Sequence, residues 1–345
     1  MDKYKDFKKE FDVDDESFKK KPKAVRKLCK KLLNDKGLRE QLESSLRMAR
    51  CLAKKRMDKK LRKALYWPEF WWEYVLYVDW FSRWIPRQST DSAWTEPGTH
   101  EQQEVYDRLC HFYFLIDQSD ACTENLQEDK WFSEWLVRFS NDWGEFLNTT
   151  ASFSEDVLQS FLKDSPEYRV QDSMIDGRPN NPSGWLTFNQ FFARELNPGL
   201  RPVSSPNDNT IVTCPADCTL RAMYDIDENS NIDEITVKLT HKYASVRELL
   251  GDSQYGDQFA NGKMVHYFLG PYSYHRFHTP VAGLLKECRA VQGLNYLQVN
   301  IDQNGQFDAP DDSQGGYEFN QARGIVILDT SNSPCGDVGL VAVIP

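Results

Sequence analysis

A change in hydrophobic periodicity near residue 170 constrains the fold of this chain more than any other feature. Before it, apolar residues recur at the three- and four-residue spacing of amphipathic helices, at about 22–65, 101–118, 129–148 and 154–163. After residue 184, short β-like runs alternate with turns of Gly, Asn, Asp and Pro. The sequence therefore predicts an α+β fold, with a helical N-terminal domain, a strand-rich antiparallel or mixed β domain, and a boundary between about 164 and 190.

The element boundaries follow from local signals. Residues 1–21 are highly charged and are expected to be frayed, and the helical pattern after Pro22 is expected to break at Asn34–Gly37. Ser154 is the expected cap of the last helix of this half. The predicted strands are Ile211–Thr213, Ile235–Leu239, Met264–Leu269, Leu294–Asn300, Gly324–Leu328 and Val338–Ile344.

The segment Tyr66–Pro86 is rich in aromatic residues. Seven apolar side chains fall on one helical face: Trp67, Phe70, Trp71, Tyr74, Val78, Phe81 and Ile85. Such a stripe is typical of a buried core, although Trp and Tyr also suit a membrane surface. Charged residues interrupt the segment and no run of 18 apolar residues occurs in the chain, so no membrane-spanning helix is expected.

Charge is unevenly distributed. The formal net charge of −10 argues against general affinity for nucleic acid, yet residues 19–63 hold 19 Lys and Arg against four acidic residues. This basic arm could bind an anionic partner, dock on the acidic remainder, or be a solvated helix face. Peripheral membrane contact through residues 19–86 is one interpretation. With eight scattered cysteines and no apolar leader, the expected state is reduced thiols in the cytoplasm.

Three segments of the second half contain candidate functional residues. In FNQFFARELNPGLRPV (residues 188–203), Arg194 and Arg201 could receive an anionic group, or the segment could be only a helix and turn. In CPADCTL (214–220), Asp217 could be presented at a site or bond to its own backbone. In YHRFHTPVAG (274–283), His275 and His278 lie one helical turn apart beside Arg276.

The two histidines allow three interpretations. They could bind a metal with Cys214 and Cys218, act as acid–base groups, or be surface histidines. The C-x3-C and H-x2-H spacings differ from the usual zinc spacings, and Asp217 would crowd the loop. We therefore expect no metal at these residues.

These three segments, in this order and separation, resemble the phosphatidylserine decarboxylase family over about residues 184–345. The helical half resembles the N-terminal domain of a branch that includes soluble tryptophan decarboxylases, notably in EVYDRLCHFYFLIDQ and NDWGEFLNT. Charge and periodicity predict a basic helical arm at 1–65, and the resemblance implies an N-terminal helical domain at 66–170 and the catalytic domain at 184–345.

The resemblance also implies a mechanism. A serine in a Gly-Ser motif cleaves the chain and becomes a pyruvoyl cofactor, which accepts the substrate amine as a Schiff base so that the carboxylate leaves as CO2. Matched by motif, Asp217 and His278 activate the serine and should approach within hydrogen-bond reach, while His275 binds the substrate carboxylate or handles protons. The implied substrate-binding residues are Tyr274, Arg276, Arg194 and Arg201.

The sequence departs from the family pattern at two points. Cys218 stands where the family has Gly, which would restrict the backbone beside Asp217. After His278 the serines are Ser313, Ser331 and Ser333, and none follows a glycine. The expectation is a truncated chain that neither cleaves itself nor decarboxylates any substrate, with an unpaired apolar sheet edge near Pro345. The alternatives are a decarboxylase of a free aromatic amino acid such as tryptophan, and an inactive remnant that binds lipid or carboxylate.

Overall fold

The computed structural model describes residues 3–99, 101–118, 125–237, 242–309 and 319–345. It has the predicted α+β fold, with helices in its N-terminal part and antiparallel sheets in its C-terminal part. The chain forms two compact units. Unit 1 contains residues 1–167, 185–191 and 297–310, and unit 2 contains residues 168–184, 192–296 and 311–345. The three domain boundaries inferred from the resemblance stay a prediction.

The helices are introduced here in chain order. They are α1 Lys3–Glu10, α2 Glu16–Lys19, α3 Lys23–Asn34, α4 Lys36–Arg56, α5 Lys59–Ala64, α6 Trp71–Phe81, α7 Glu104–Asp117, α8 Lys130–Leu147, α9 Glu155–Asp164, α10 Phe188–Phe192 and α11 Val246–Leu249. Short 3₁₀ helices lie at Thr150–Ser152, Pro166–Tyr168, Val170–Ser173 and Gly256–Phe259. Among the described helices, none is long and apolar enough to cross a membrane.

The N-terminal segment is folded, so the expectation of a frayed segment was wrong. Phe7, Phe11 and Phe18 are buried, and Phe7 packs edge-on against Trp71 of α6. The Asp15 carboxylate caps α2 by accepting from the Ser17 backbone N–H at 2.6 Å. Three buried phenylalanines stabilise this segment despite its many charges.

Capping residues set the ends of the next helices. The break predicted at Asn34–Gly37 is confirmed, because Asp35 is extended and its carboxylate accepts from the Leu38 N–H at the start of α4. Ser154 caps α9 as predicted, accepting from the Val157 N–H. Both side chains satisfy backbone donors that the first turn of a helix leaves without partners.

The core of unit 1 lies where α3 and α4 pack against α6, α7 and α8. The start of α3 is held by α8: Asp142 accepts from the Ala24 N–H at 2.6 Å, and the Trp135 indole donates to the Ala24 carbonyl at 2.9 Å. These bonds satisfy buried polar groups within an otherwise apolar interface.

The aromatic stripe of 66–86 contributes to this core, which confirms the core interpretation for Trp71, Tyr74, Val78 and Phe81. Phe70 and Trp80 are about half exposed. Periodicity therefore identified the buried face of α6 correctly, although Phe70, just before the helix, lies outside that face.

Unit 1 also contains a segment from far along the chain. The Val299 N–H donates to the Asp117 carboxylate at 2.9 Å, and the Gln127 amide exchanges two hydrogen bonds with the backbone of Leu297. Phe307 is buried against Phe114 with ring centroids 5.4 Å apart. Residues 297–309 are thus held in unit 1 by side chains of its helical part.

The strands form small antiparallel sheets. They are β1 Met174–Ile175, β2 Arg178–Pro179, β3 Thr219–Asp225, β4 Asn231–Val237, β5 Lys242–Ser245, β6 Lys263–Phe268, β7 Leu284–Val291, β8 Asn300–Ile301, β9 Phe307–Asp308, β10 Arg323–Asp329 and β11 Leu340–Val343. The pairs are β1–β2, β3–β6, β4–β5 and β8–β9, and β10 lies between β7 and β11.

The three-stranded sheet contributes to the core of unit 2. Ile325 and Ile327 of β10 are fully buried and belong to one apolar cluster with Ile232 and Leu250. In the register of this sheet, Val326 faces Cys288 on β7 and Val343 on β11.

Two strand predictions were wrong. Residues 211–213 form no strand, because the Thr213 N–H donates to the Pro280 carbonyl of another loop. Residues 294–299 are not a strand either: Leu294 makes only an isolated bridge with Gln321, and β8 begins at Asn300. Of the predicted strand Ile235–Leu239, residues 238 and 239 lie outside the described residues.

Several large apolar side chains of unit 2 are exposed. Those on the strands include Ile175 of β1, Leu220 and Met223 of β3, and Leu284 and Leu285 of β7. β7 pairs with β10 along its length, so its exposed leucines lie on a surface of the sheet.

Candidate functional site

A tight turn in the first segment positions Arg201. The Leu200 N–H donates to the Asn197 carbonyl, and Gly199 has a φ of 86°. Pro198 followed by a glycine with positive φ is the arrangement of a type II turn, and only Gly adopts this φ without strain. Asn197 anchors the turn through its N–H on the Asp172 carbonyl and its side-chain amide on the Met174 carbonyl, each at 2.7 Å.

Arg201 binds Asp217 in a two-pronged ion pair. Nε donates to Oδ1 at 2.7 Å and Nη2 donates to Oδ2 at 2.5 Å. This geometry engages both carboxylate oxygens at once, so it fixes the orientation of the Asp217 side chain. The interpretation that Asp217 bonds to its own backbone was wrong.

The loop of His278 lies directly beside the loop of Asp217. The His278 N–H donates to the Pro215 carbonyl at 2.7 Å, and Thr213 donates from its N–H and hydroxyl to the Pro280 carbonyl. Within the described residues, however, no hydrogen bond joins the side chains of Asp217 and His278, because the carboxylate is directed to Arg201. The adjacency predicted from the motifs is present, but the predicted hydrogen bond is not.

The His278 imidazole is exposed and lies parallel to the buried Tyr274 ring, with centroids 5.7 Å apart. Burial raises the pKa of Tyr274, and the nearby Asp217 carboxylate raises it further. Tyr274 therefore lies close enough to Asp217 to feel its charge, and its ring also contacts the His278 ring.

His275 has a different environment from His278. Its ring stacks on Phe192 with centroids 4.0 Å apart, and Nε2 donates to the Pro271 carbonyl at 3.2 Å. Burial lowers the pKa of His275. The lowered pKa favours the neutral form of the His275 imidazole, whose ring packs against Phe192 at the end of α10. Its role in proton handling or carboxylate binding stays a prediction.

The remaining predicted arginines bind backbone and side-chain groups of the same unit. Arg194 is 4% exposed and donates to the Tyr168 carbonyl at 2.8 Å. Arg276 donates to the Ala193 carbonyl at 2.9 Å and pairs with Glu195 at 3.2 Å. The three motif segments are therefore joined, and the roles of Arg194, Arg201, Arg276 and Tyr274 in binding substrate stay predictions.

The cysteines beside Asp217 contact each other, with 3.1 Å between Cys214 Sγ and Cys218 Sγ. None of the residues 214–218 has a positive φ, so Cys218 occupies its position without left-handed strain and the expected restriction does not arise. In the described part of the chain, no group of three or more His, Cys, Asp or Glu side chains could hold a metal ion.

Two features of the structure escaped the sequence analysis. The first is the Arg201–Asp217 pair, for which the motif order gave no signal. The second is a cavity of about 340 Å³ in unit 1, lined by Tyr66, Tyr77, Trp80, Arg108 and His111. His111 is buried and its Nδ1 lies 3.1 Å from the Tyr77 hydroxyl. Burial lowers the pKa of His111 to about 3.

Comparison with known proteins identifies the second half of the chain. Residues 188–344, which contain all three motif segments, match the sequence model of phosphatidylserine decarboxylase. Over these residues the chain is similar to the phosphatidylserine decarboxylase family. The resemblance inferred from the ordered motifs is therefore confirmed.

Individual phosphatidylserine decarboxylase proenzymes show the same similarity. Phosphatidylserine decarboxylase proenzyme 2 of Oryza sativa is 36% identical over 121 residues, covering 35% of this chain and 19% of that protein. The phosphatidylserine decarboxylase proenzyme of Salmonella typhi is 32% identical over 167 residues, covering 47% of this chain and 48% of that protein.

A third relative extends the similarity beyond the family segment. Decarboxylase iboD of Amanita muscaria is 27% identical over 234 residues, covering 61% of this chain and 66% of that protein. The matched 61% of the chain is longer than the segment 188–344, so the similarity extends into the helical half. This agrees with the branch inferred from the sequence. The matches span between 19% and 66% of the lengths of these three relatives.

Proposed function

We propose that unit 2 carries the processing and decarboxylation site of a phosphatidylserine decarboxylase-type enzyme, which converts phosphatidylserine to phosphatidylethanolamine and CO2. The observation that carries this proposal is the hydrogen bond from the His278 N–H to the Pro215 carbonyl. It holds the imidazole loop against the loop that contains Asp217, as a shared acid–base site requires.

In this proposal His278 is the base. Its exposed imidazole is free to take the proton from a serine hydroxyl, and the parallel Tyr274 ring limits its rotation. Asp217 stabilises the imidazolium that results, because its negative charge lies in the same small region. Arg201 keeps the Asp217 carboxylate oriented until it turns toward His278.

The residues present fit a pyruvoyl group. Asp217 is paired with Arg201, so its charge is balanced, and the neighbouring His278 imidazole is exposed. A pyruvoyl group supplies an electron-withdrawing carbonyl, which the twenty ordinary side chains lack. His278 and Tyr274 would lie next to the pyruvoyl group. His275, in the same loop, would hold or move a proton.

The serine that such processing consumes lies in a Gly-Ser sequence, and no serine after His278 in these 345 residues follows a glycine. The proposal therefore concerns what Asp217 and His278 do when a Gly-Ser segment is supplied. To test it, residue 345 is fused to the C-terminal segment of a proenzyme relative, including the Gly-Ser motif of that segment.

The experiment compares CO2 release from phosphatidylserine vesicles with release from free amino acids, using this fusion and its His278→Gln variant. Release from the vesicles by the parent fusion alone supports the proposal. A fusion that unfolds cooperatively in urea, and so is folded, yet releases no CO2 from any substrate would contradict it.

A second candidate function is decarboxylation of a free amino acid such as tryptophan. The observation that favours it is the match to Decarboxylase iboD, which extends into the helical half, whereas the match to the Salmonella typhi proenzyme covers 47% of this chain. The same assay separates the two, because this candidate predicts release from tryptophan and none from vesicles. An inactive remnant predicts release from neither.

A lipid substrate would require the protein to contact the membrane. We propose that residues 19–86 make this peripheral contact with an anionic membrane. The last turn of α4 exposes Lys54, Lys55 and Arg56, and Tyr66 and Phe70 nearby in sequence are about half exposed. Basic residues at an anionic surface contribute about 1 kcal/mol each. Sedimentation with vesicles containing phosphatidylserine, compared with neutral vesicles, measures this contact.

A further inference from the structure

Two cysteines flank the proposed catalytic aspartate in sequence, and their sulfur atoms lie almost close enough to form a disulfide bond. Cys214 Sγ and Cys218 Sγ are 3.1 Å apart, and only Pro215, Ala216 and Asp217 separate the two residues. Cys214 is exposed and Cys218 is partly buried. Both residues belong to unit 2.

Hydrogen bonds fix both ends of this loop. Thr213, just before Cys214, bonds to the Pro280 carbonyl, and Thr219, just after Cys218, begins β3 opposite Phe268. The Cys218 thiol donates to the Ala216 carbonyl at 3.3 Å, which directs its sulfur back over the loop. The proximity of the sulfurs therefore follows from the fold of the loop.

We propose that Cys214 and Cys218 are a reversible disulfide site, oxidised by exchange with a low-molecular-weight disulfide. A disulfide bond is about 2.0 Å long, so the sulfurs need to approach by only about 1 Å. The bond would close a loop of five residues around Asp217. Exposed disulfides in short loops are commonly the labile, regulatory ones.

The exchange proceeds in two steps. The exposed Cys214 thiolate attacks one sulfur of the oxidant, releasing one thiolate and forming a mixed disulfide. The Cys218 thiolate then attacks Cys214 Sγ and releases the second thiolate. Two cysteine thiols lose two protons and two electrons, and the oxidant is reduced to two thiols.

The environment favours this order. Burial raises the pKa of Cys218 to about 12, and the adjacent Cys214 sulfur adds to the shift. Cys218 therefore keeps its proton while Cys214 is free. Once Cys214 is in the mixed disulfide it carries no charge, so its contribution to the shift disappears and Cys218 becomes the resolving thiol.

The disulfide would act on Asp217 through the loop. Drawing the sulfurs together moves the backbone that presents the carboxylate to Arg201 and the Pro215 carbonyl to His278. We infer that the oxidised form is impaired in processing, and this consequence rests on the proposed function. The disulfide itself does not.

The test uses the reduced 345-residue chain in buffers of oxidised and reduced glutathione. After alkylation and trypsin digestion, one peptide ending at Arg221 contains both cysteines and no other. We expect this peptide to lose the mass of two hydrogens and all alkylation in oxidised glutathione, and to regain alkylation with dithiothreitol. The Cys288→Ser variant, which lacks an exposed thiol on β7, should behave identically.

Two single variants test the order of attack. Cys218→Ser should accumulate glutathione on Cys214, and Cys214→Ser should form no disulfide in this peptide. Full alkylation of both cysteines in oxidised glutathione, or a bond from either one to another cysteine, would overturn the proposal. Asp217→Asn should still form the disulfide, so a failure of the thiol chemistry is distinguishable from a failure of the proposed function.

Discussion

Arg201 holds both carboxylate oxygens of Asp217, although the two residues are sixteen positions apart in sequence. The pair links the turn after α10 to the loop before β3, and roughly a third of each side chain is exposed. A two-pronged pair between short, anchored loops loses less conformational entropy on forming than a flexible surface pair. Its contribution to the free energy of unfolding should therefore be measurable.

We predict a coupling free energy of about 0.5–1 kcal/mol for this pair. The measurement is a double-mutant cycle of Arg201→Gln and Asp217→Asn, with free energies of unfolding taken from urea titrations. The matched control is the more exposed, single-contact pair Arg276–Glu195, for which the cycle should give a value near zero. Equal coupling in both cycles would show that the two-pronged geometry contributes nothing.

The buried His111 should make unit 1 sensitive to acid. Its pKa is about 3 in the folded chain against 6.5 in the unfolded one, so the unfolded state binds the proton first as pH falls. Its contribution to stability is complete above pH 6.5 and is lost progressively from there toward pH 3. At pH 5 the loss should be about 2 kcal/mol.

The variant His111→Gln isolates this effect, because glutamine can bond to the Tyr77 hydroxyl and does not titrate. The buried Asp107 has a raised pKa, which contributes in the opposite direction, so the quantity to compare is the parent minus the variant. This difference in free energy of unfolding should shrink between pH 8 and pH 5. A difference independent of pH would mean that His111 is not held neutral.

Asn209 should be the polar residue of unit 2 least tolerant of a charge. It is buried, its amide donates to the carbonyls of Ala282 and Gly336, and its side-chain oxygen accepts from the Ala282 N–H. Asn209→Asp places an acceptor against two carbonyls and should cost about 3 kcal/mol or more. The exposed Asn332→Asp should change the free energy of unfolding by about 0.5 kcal/mol or less. Similar melting temperatures for the two variants would contradict this account.

Trp135 should contribute strongly to unit 1. It is 1% exposed and bonds to the Ala24 carbonyl of α3. Trp135→Ala should lower the free energy of unfolding by about 3–5 kcal/mol through a cavity and a lost hydrogen bond. The half-exposed Trp80→Ala should cost about 1 kcal/mol, and denaturant titration of both variants measures the contrast.

The sequence predicted helices better than strands, for a physical reason. Helical periodicity and capping are local, so the break at Asp35 and the cap at Ser154 were both found. β7 was missed because Lys286, Glu287 and Arg289 interrupt its apolar residues, and its strand conformation depends on pairing with β10. The expectation that the N-terminal segment is frayed was wrong because its many charges outnumber its three phenylalanines in the sequence. Those phenylalanines are enough to hold the segment in place when helices provide an apolar surface to pack against.

The candidate site was predicted in part. Motif order brought Asp217, His275 and His278 to the right loops, since each motif is contiguous in the sequence. The partners of those residues are set by tertiary contacts: Arg201 on Asp217, Phe192 on His275 and Tyr274 on His278. No local sequence pattern indicates these contacts, because the residues that make them are distant in sequence or depend on the fold.

Intact-mass spectrometry of the fusion that supplies a Gly-Ser segment tests the central claim most directly. The parent fusion and Asp225→Asn, which removes an exposed carboxylate of β3, should each appear as two pieces split before the serine. Asp217→Asn and His278→Gln should each remain a single mass. Cleavage in the His278→Gln variant at the parent rate, or a folded parent fusion that stays intact, would contradict the assignment of Asp217 and His278 as the processing pair.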